Sequence, residues 1–415
     1  MKLLSVTLLV LAAQASGSQT IPISNPRIRT ALDVIKADNA WTVDQQASIC
    51  EIAAPPYHET ARGLEYKRRL EAVGLRNVRI DSIGNVIAER RGTGSGPTIV
   101  IAGHLDTVFP EGTDVHMKRE GTKIIGPGSG DDCRGLATLL AVARAFEKSG
   151  VQTNGTVYFV GDVGEEGQGN SCGVRYLFEK EMKGKIDYFI SVDGTGMGVT
   201  SRAVGSNRYR VTYKGPGGHS YGAFGIPNPI HALGRAIAQI ADIQVPSNPK
   251  TTFNVGVIEG GTSVNSISGT GSMDVDMRSE SAQSLAAVNA KIQKILKDAL
   301  DAENARWTGP RAAAAKLSLV IDTIGFRPTG AQADSAYIVR VALEATRALG
   351  QSTVTGASST DSNLPISLGL PAITISGGGN GFGAHSLGEW YDDGPNGWLG
   401  PQRAALIVAA LAGVR

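Results

Sequence analysis

Four short runs of the chain are continuously apolar or β-branched instead of alternating, and each gives way to a histidine or an acid. Thr98-Ile-Val-Ile-Ala-Gly103 runs into His104-Leu105-Asp106, and Thr156-Val-Tyr-Phe-Val-Gly161 leads to Glu165-Glu166. Asp187-Tyr-Phe-Ile-Ser-Val192 ends at Asp193, and Pro371-Ala-Ile-Thr-Ile-Ser376 enters a glycine loop that ends at His385. Such runs, bounded by glycine, predict strands buried on both faces. Helical periodicity lies between them, notably over residues 134–148 and 172–182. Upstream, residues 28–50 and 58–73 read as two helices, with strand-like runs at 78–80 and 85–89. Strands alternating with helices predict an α/β fold, in which ligands bind beyond the carboxyl ends of the strands. Four polar clusters at four such ends are expected to converge on one site.

Between Asp193 and His385 the rhythm changes. Residues 208–213 alternate as a strand, 229–240 follow as a helix, and 252–258 and 270–278 are strands. A long amphipathic helix over 281–301 and a strand over 316–321 complete the pattern. The order β-α-β-β-α-β predicts a ferredoxin-like unit with two helices on one sheet. Because it interrupts the first pattern, it is expected to be an insertion covering residues 204–326. The parts 16–203 and 327–415 then form the first domain, with glycine- and proline-bearing hinges at 194–205 and 325–330.

The first residues stand apart. Lys2 precedes an apolar run over 3–13, and Ala13-Gln14-Ala15 has the small-x-small form that a signal peptidase accepts. The run is too short to cross a bilayer about 30 Å thick, which takes about 20 residues. A signal peptide over 1–15, and a secreted or periplasmic protein, are expected.

Composition narrows the function classes. A chain of 415 residues exceeds what one core usually serves, in keeping with two domains. Forty basic against 38 acidic residues leave a net charge of +2, which gives no footprint for nucleic acid or an anionic membrane. Hydrophobic residues make up 41% and charged residues 19%, so disorder is excluded. Cys50, Cys133 and Cys172 are odd in number, so at least one thiol is free. Zinc-finger spacing is absent, and a Cys133–Cys172 bridge is a candidate that the sequence leaves open.

The polar clusters carry the chemistry. In His104-x-Asp106, residues i and i+2 of a strand share a face, so a carboxylate can sit beside a metal-binding imidazole and fix its tautomer. Asp131-Asp132 follows Gly126-Pro-Gly-Ser-Gly130 and opens a helix, which simple N-capping would also explain. Adjacent Glu165 and Glu166 repel each other unless a cation compensates them. One can then ligate metal while the other accepts a proton. Asp193 ends a buried strand, where an unpaired carboxylate is costly. The glycine loop before His385 lacks the Gly-Lys-Ser/Thr ending of a phosphate loop. His58, His116 and His231 stand in no motif and read as structural or solvent-facing.

Taken together these segments resemble the M20 family of co-catalytic zinc peptidases and deacylases. The resemblance rests on Gly103-His-Leu-Asp-Thr107, Gly130-Asp-Asp132 with Gly135, Glu165-Glu166-Gly167, Val192-Asp-Gly194, Gly217-Gly-His-Ser220, Gly260-Gly-Thr-Ser-Val-Asn265, Asp276-Met-Arg278 and Ala384-His-Ser386. It implies an α/β/α catalytic domain with an inserted dimerisation or lid domain. His104 and Asp193 would hold one zinc, Glu166 and His385 the other, with Asp131 bridging them. Cobalt or manganese could replace zinc. Asp106 would support His104, Glu165 would be the general base, and His219 would bind the oxyanion, reaching a neighbouring subunit in a homodimer. Asn265 and Arg278 would bind substrate. Asp at position 193 and Ala54-Pro-Pro-Tyr-His58 resemble the tripeptidase-type branch, so a short peptide is the expected substrate. The alternatives are a carboxypeptidase, an N-acyl-amino-acid amidohydrolase and a non-catalytic peptide-binding relative. Cys133 and Arg134 depart from the family's usual Lys-Gly pattern, and Cys133 reads as a small packing residue.

Overall fold

The computed structural model describes residues 21–415, so the signal peptide expected over 1–15 lies outside the described residues. Among those residues, no helix is long and apolar enough to cross a membrane.

The larger sheet has nine strands. Its centre is four parallel strands, Thr156–Asp162, Thr98–His104, Tyr188–Val192 and Ala372–Ile375, in that spatial order. These are the four apolar runs of the sequence. Burial on both faces explains why they do not alternate. Ile99 and Ile101 face a core shared with Ile28, Leu136, Ile338 and Leu406 of the covering helices. Val100 and Ala102 face a second core with Val174, Leu177 and Ile366. Antiparallel Val86–Arg90 and Arg76–Ile80 extend one side of the sheet.

Pro26–Ala37 and Asn39–Cys50 are separate helices where one was expected over 28–50. The break is at Asp38, whose carboxylate accepts from Arg144 and Lys148 at 2.7 and 2.6 Å. The segment 172–182 begins as the helix Cys172–Tyr176 and continues as a π-helical turn, Leu177–Glu181.

The inserted pattern folds as read. Gly205–Lys214, Thr251–Gly260, Thr270–Ser279 and Ser318–Arg327 form an antiparallel sheet covered by Pro229–Ala241 and Ala282–Arg306. Val211, Tyr213, Met273, Val275 and Met277 point to a core with Leu233, Val288, Ile292 and Leu296, separate from those of the larger sheet. The opposite face carries Arg208–Asp276 and Arg210–Asp274 pairs at 2.9 and 2.7 Å, which gives the period-two alternation.

Two expectations change, and the cysteine pairing that the sequence left open is fixed. The hinge expected over 194–205 contains Val199–Ala203, a strand of the larger sheet. The one expected over 325–330 is mostly strand, because Ser318–Arg327 and Gly330–Ala331 occupy both its ends. The links are therefore only a few residues long. The disulfide joins Cys50 to Cys133, not Cys133 to Cys172, so Cys133 is a cross-link as well as a core residue. Helix Asn39–Cys50 packs on Cys133–Ser149, which brings those two sulfurs together, while Cys172 lies beyond the strand Thr156–Asp162.

A small four-stranded sheet that the sequence did not suggest completes the fold. It pairs Asn380–Phe382, Trp390–Asp392, Lys123–Ile125 and Lys118–Glu120. This sheet sets the loop that carries His385 beside the turn that carries Asp131.

Candidate active site

The expected residues converge. His104 is the last residue of its strand, Asp193 follows Val192 directly, and Glu165 and Glu166 follow Asp162 after two intervening residues. Asp131 sits in the turn before Cys133–Ser149, with a cis peptide to Asp132. His385 lies on the hairpin loop between Asn380–Phe382 and Trp390–Asp392, with a left-handed φ of 67°.

Asp131 turns one oxygen to each imidazole. Its Oδ1 is 3.0 Å from His104 Nε2, and its Oδ2 is 3.2 Å from His385 Nε2. His385 Nε2 also lies 2.8 Å from Glu166 Oε1. Donor atoms of His104, Asp131 and Asp193 lie within 4.8 Å of one another, as do those of Asp131, Glu166 and His385 and those of His104, Glu165 and Glu166. Two imidazoles and four carboxylates make a nitrogen and oxygen donor set suited to zinc and similar divalent ions.

Electrostatics argue the same way. Burial, reinforced by the Asp131 charge, pushes the Asp193 carboxyl well above its usual range. Burial raises Glu166 as well, against the opposing hydrogen bond from His385. Burial disfavours a charge on His104, yet bonds with Asp106 and Asp131 hold its imidazole well above the usual value. Carboxylates this crowded and dry need positive charge, and divalent cations would supply it. The residues therefore fit a metal pair.

Asp106 is fully buried and meets both His104 and the glutamate pair. His104 Nδ1 is 3.0 Å from the Asp106 backbone carbonyl and 3.5 Å from its carboxylate. That carboxylate accepts from the backbone N–H groups of Glu165 and Glu166 at 3.0 and 2.8 Å. It orients the two glutamates more directly than it orients the imidazole.

Further residues support the cluster, of which Glu389 and Arg327 were not legible in the sequence. Glu389 accepts from the N–H groups of Gly128, Gly130 and Asp131 at 2.9, 2.7 and 2.9 Å, which fixes the turn that presents Asp131. Its place four residues after His385 was the available signal. Asp132 caps the following helix through Gly135 N at 3.0 Å and accepts from His104 N at 3.1 Å. Gly135 is required there, because a Cβ would lie 2.2 Å from the Val192 carbonyl. Arg134 is buried, donates to the Gly377 and Gly397 carbonyls at 2.7 and 2.6 Å, and lies over the Tyr391 ring. It joins the Asp131 helix to the loop leading to His385. Arg327 pairs with Glu165 at 2.6 Å, and nothing in its sequence surroundings marked it.

The remaining expected residues lie on the inserted unit. The short strands Gly218–His219 and Ser266–Ile267 pair, and Ser220 N donates to the Asn265 carbonyl at 2.9 Å, so His219 and Asn265 share one exposed tip. Arg278 donates to Asp276 at 2.8 Å. It lines a cleft of about 280 Å³ with Lys250, Ser358 and Ser359. Among the described residues, no hydrogen bond or ion pair links His219, Asn265 or Arg278 to the metal-ligand cluster. His116 pairs with Asp114 on the surface, and His231 lies 3.7 Å from Glu303, both away from the cluster.

The fold and this donor cluster define a metal-dependent peptidase or amidohydrolase. The profile of Peptidase family M20/M25/M40 matches residues 100–396, and the chain belongs to that family.

Among sequence relatives, the uncharacterized protein YqjE of Bacillus subtilis (strain 168) is 24% identical over 359 residues, 84% of this chain and 88% of its own length. A succinyl-diaminopimelate desuccinylase of Nitrosospira multiformis is 28% identical over 247 residues. That match takes in 55% of this chain and 65% of the desuccinylase. Among solved structures, a Staphylococcus aureus tripeptidase superposes with a TM-score of 0.71 at 18% identity, covering 89% of this chain and 98% of that one. The dipeptidase Dug1p of Saccharomyces cerevisiae gives 0.72 at 14% identity, covering 93% and 98%. These structures share the fold.

Proposed function

We propose that the enzyme is an exported two-zinc metallopeptidase that hydrolyses short peptides from a free amino end, acting as a homodimer. The observation that carries this reading is Asp131, shared between His104 and His385. Glu165 also lies within reach of His104 and Glu166, but a ligand set bridged by Asp131 is complete without it. His104 and Asp193 would hold one ion, Glu166 and His385 the other, and Asp131 both. When bound, the ions supply Lewis-acid polarisation of the scissile carbonyl and make the attacking water more acidic.

The chain's own residues do the rest. Glu165 takes the proton of the attacking water and returns it to the leaving amine. Its position is favourable, because Asp106 holds its N–H and Arg327 its carboxylate. Asp106 also keeps Glu166 in line as a ligand. His219 donates to the developing oxyanion once the inserted unit is brought over a metal site, and Asn265 accompanies it on the same tip. Export is supported by the sequence of residues 1–15 and by the buried Cys50–Cys133 disulfide, a cross-link typical of oxidising compartments. Zinc is favoured by the mixed imidazole and carboxylate donors, which would also take cobalt or manganese.

A second reading, hydrolysis of an N-acyl amino acid or of a carboxy-terminal residue, is favoured by Arg278 and Lys250 lining one cleft, where a substrate carboxylate would be welcome. A library of di- and tripeptides with free and blocked termini, analysed by mass spectrometry, separates the two. Cleavage that requires a free α-amino group and tolerates a C-terminal amide supports the first reading. Brisk turnover of N-acyl amino acids would move the assignment to the second.

A further inference from the structure

The carboxylate of Glu165 is held from outside its own loop by one side chain. Arg327 Nη1 donates to Glu165 Oε1 at 2.6 Å, and Arg327 Nη2 donates to the backbone carbonyl of the same residue. Both side chains are about 5% exposed, so water does not compete for the pair. The same Nη1 reaches Ser359 Oγ at 3.1 Å, a second partner for the guanidinium. A planar fork bonded to the carboxylate and the carbonyl of one residue restricts its rotamer and its peptide together.

Arg327 is also the last residue of Ser318–Arg327, the strand by which the chain leaves the inserted sheet. Its neighbours grip the same loop. Phe326 N donates to Asn170 Oδ1 at 2.9 Å, Arg175 donates to the Phe326 carbonyl, and Arg208 of the adjoining strand donates to the Gly167 carbonyl at 3.2 Å. Asp106 meanwhile holds the N–H groups of Glu165 and Glu166 from the larger sheet. The glutamate pair is thus clamped by one carboxylate of the catalytic sheet and by the exit strand of the inserted one.

We infer that Arg327 is a positioning residue for Glu165, setting the direction of its carboxylate from the inserted unit. The inference rests on the reading of Glu165 as the general base. It distinguishes Arg327 from an ordinary buried ion pair, whose loss would alter stability without touching the chemical step. Lysine does not substitute, because a single ammonium at the end of a flexible stem cannot span carboxylate and carbonyl with the same fixed geometry.

The test uses the full-length, metal-loaded enzyme turning over the best peptide of the library. Arg327→Ala and Arg327→Lys are each expected to lower kcat by roughly 10- to 100-fold, with KM within about twofold and metal content unchanged. Guanidinium chloride at tens of millimolar, well below denaturing concentrations, should restore part of the kcat of Arg327→Ala, whereas the same concentration of sodium chloride should not. In the Glu165→Gln background, Arg327→Ala should cost less than about twofold more, because the two residues act as a unit. Additive losses, a kcat for Arg327→Lys equal to that of the wild type, or no guanidinium rescue of a folded Arg327→Ala would overturn the inference. Should Arg327→Ala not fold, Arg327→Lys and its combination with Glu165→Gln decide alone. If Glu165→Gln leaves kcat intact, the assignment of the base falls and Arg327 falls with it. A Glu165-dependent enzyme with additive losses overturns only the role of Arg327.

Discussion

His385 Nε2 lies 2.8 Å from Glu166 Oε1, although 219 residues separate the two. The bond to Asp131, reinforced by this contact, pushes the His385 imidazole up to about 10. At neutral pH the metal-free protein therefore carries a proton on this ring, which a metal ion bound there would have to displace.

The consequence for pH has a definite sign. The protonated ring is the metal's competitor, so apparent metal affinity should rise with pH until the value of about 10 is passed. The same raised pKa stabilises the metal-free fold fully below the ordinary value of 6.5, and that contribution is lost as pH rises through about 10. Titrating metal into the apoprotein at pH 7, in buffers of different ionisation enthalpy, should reveal proton release. Affinity independent of pH would exclude His385 as a ligand.

Metal content and chemistry should separate at two adjacent residues. About two divalent ions per chain are expected by elemental analysis, with activity lost on chelation and recovered on re-addition. Glu165→Gln should keep both ions while kcat falls by roughly 10²–10⁴. Glu166→Gln should instead lose about one ion per chain. The opposite pattern would mean that the two roles have been exchanged.

The Cys50–Cys133 disulfide closes a loop across 83 positions and lies two residues from Asp131. Replacing both cysteines by serine should lower unfolding stability by about 2–5 kcal/mol. The variant should also bind metal less tightly, because Cys133 anchors the turn that presents Asp131. Denaturant unfolding with and without reductant measures the first effect, and competition with a chromogenic chelator measures the second. Identical midpoints under both conditions would show that the bond does not form.

His219 should act from one chain upon another. Its ring is exposed on the tip of the inserted unit, and among the described residues its Nδ1 accepts from Tyr221 N and Gly222 N at 3.3 and 3.2 Å. His219→Ala should retain metal and fold yet lose roughly 10²–10³ in kcat, as on removal of an oxyanion donor. Mixing it with His104→Ala should restore activity, since a heterodimer contains one intact composite site. Proven subunit exchange without restoration would place His219 within its own site or outside the reaction.

Much of the fold was legible because it follows from local burial. The runs ending at Gly103, Gly161, Val192 and Ser376 could only be strands covered on both faces. The alternation within 208–213 and 270–278 marked a sheet covered on one. Position at a strand's carboxyl end then singled out His104, Glu165, Glu166, Asp193 and His385, with Asp131 at the start of a helix, and the structure does gather all six. The break at Asp38 was hidden, because the ion pairs there come from Arg144 and Lys148, more than a hundred residues away.

The sequence by itself determined the four central strands and the order of elements in the inserted unit, since periodicity records how many faces each buries. It also determined which residue types stand at their ends. Only the tertiary structure decided that Cys50 meets Cys133, that Glu389 grips the Asp131 turn, and that Arg327 faces Glu165. Those partners are joined by packing between elements distant in the chain. A buried charge or thiol carries no local mark of which neighbour the fold will bring to it.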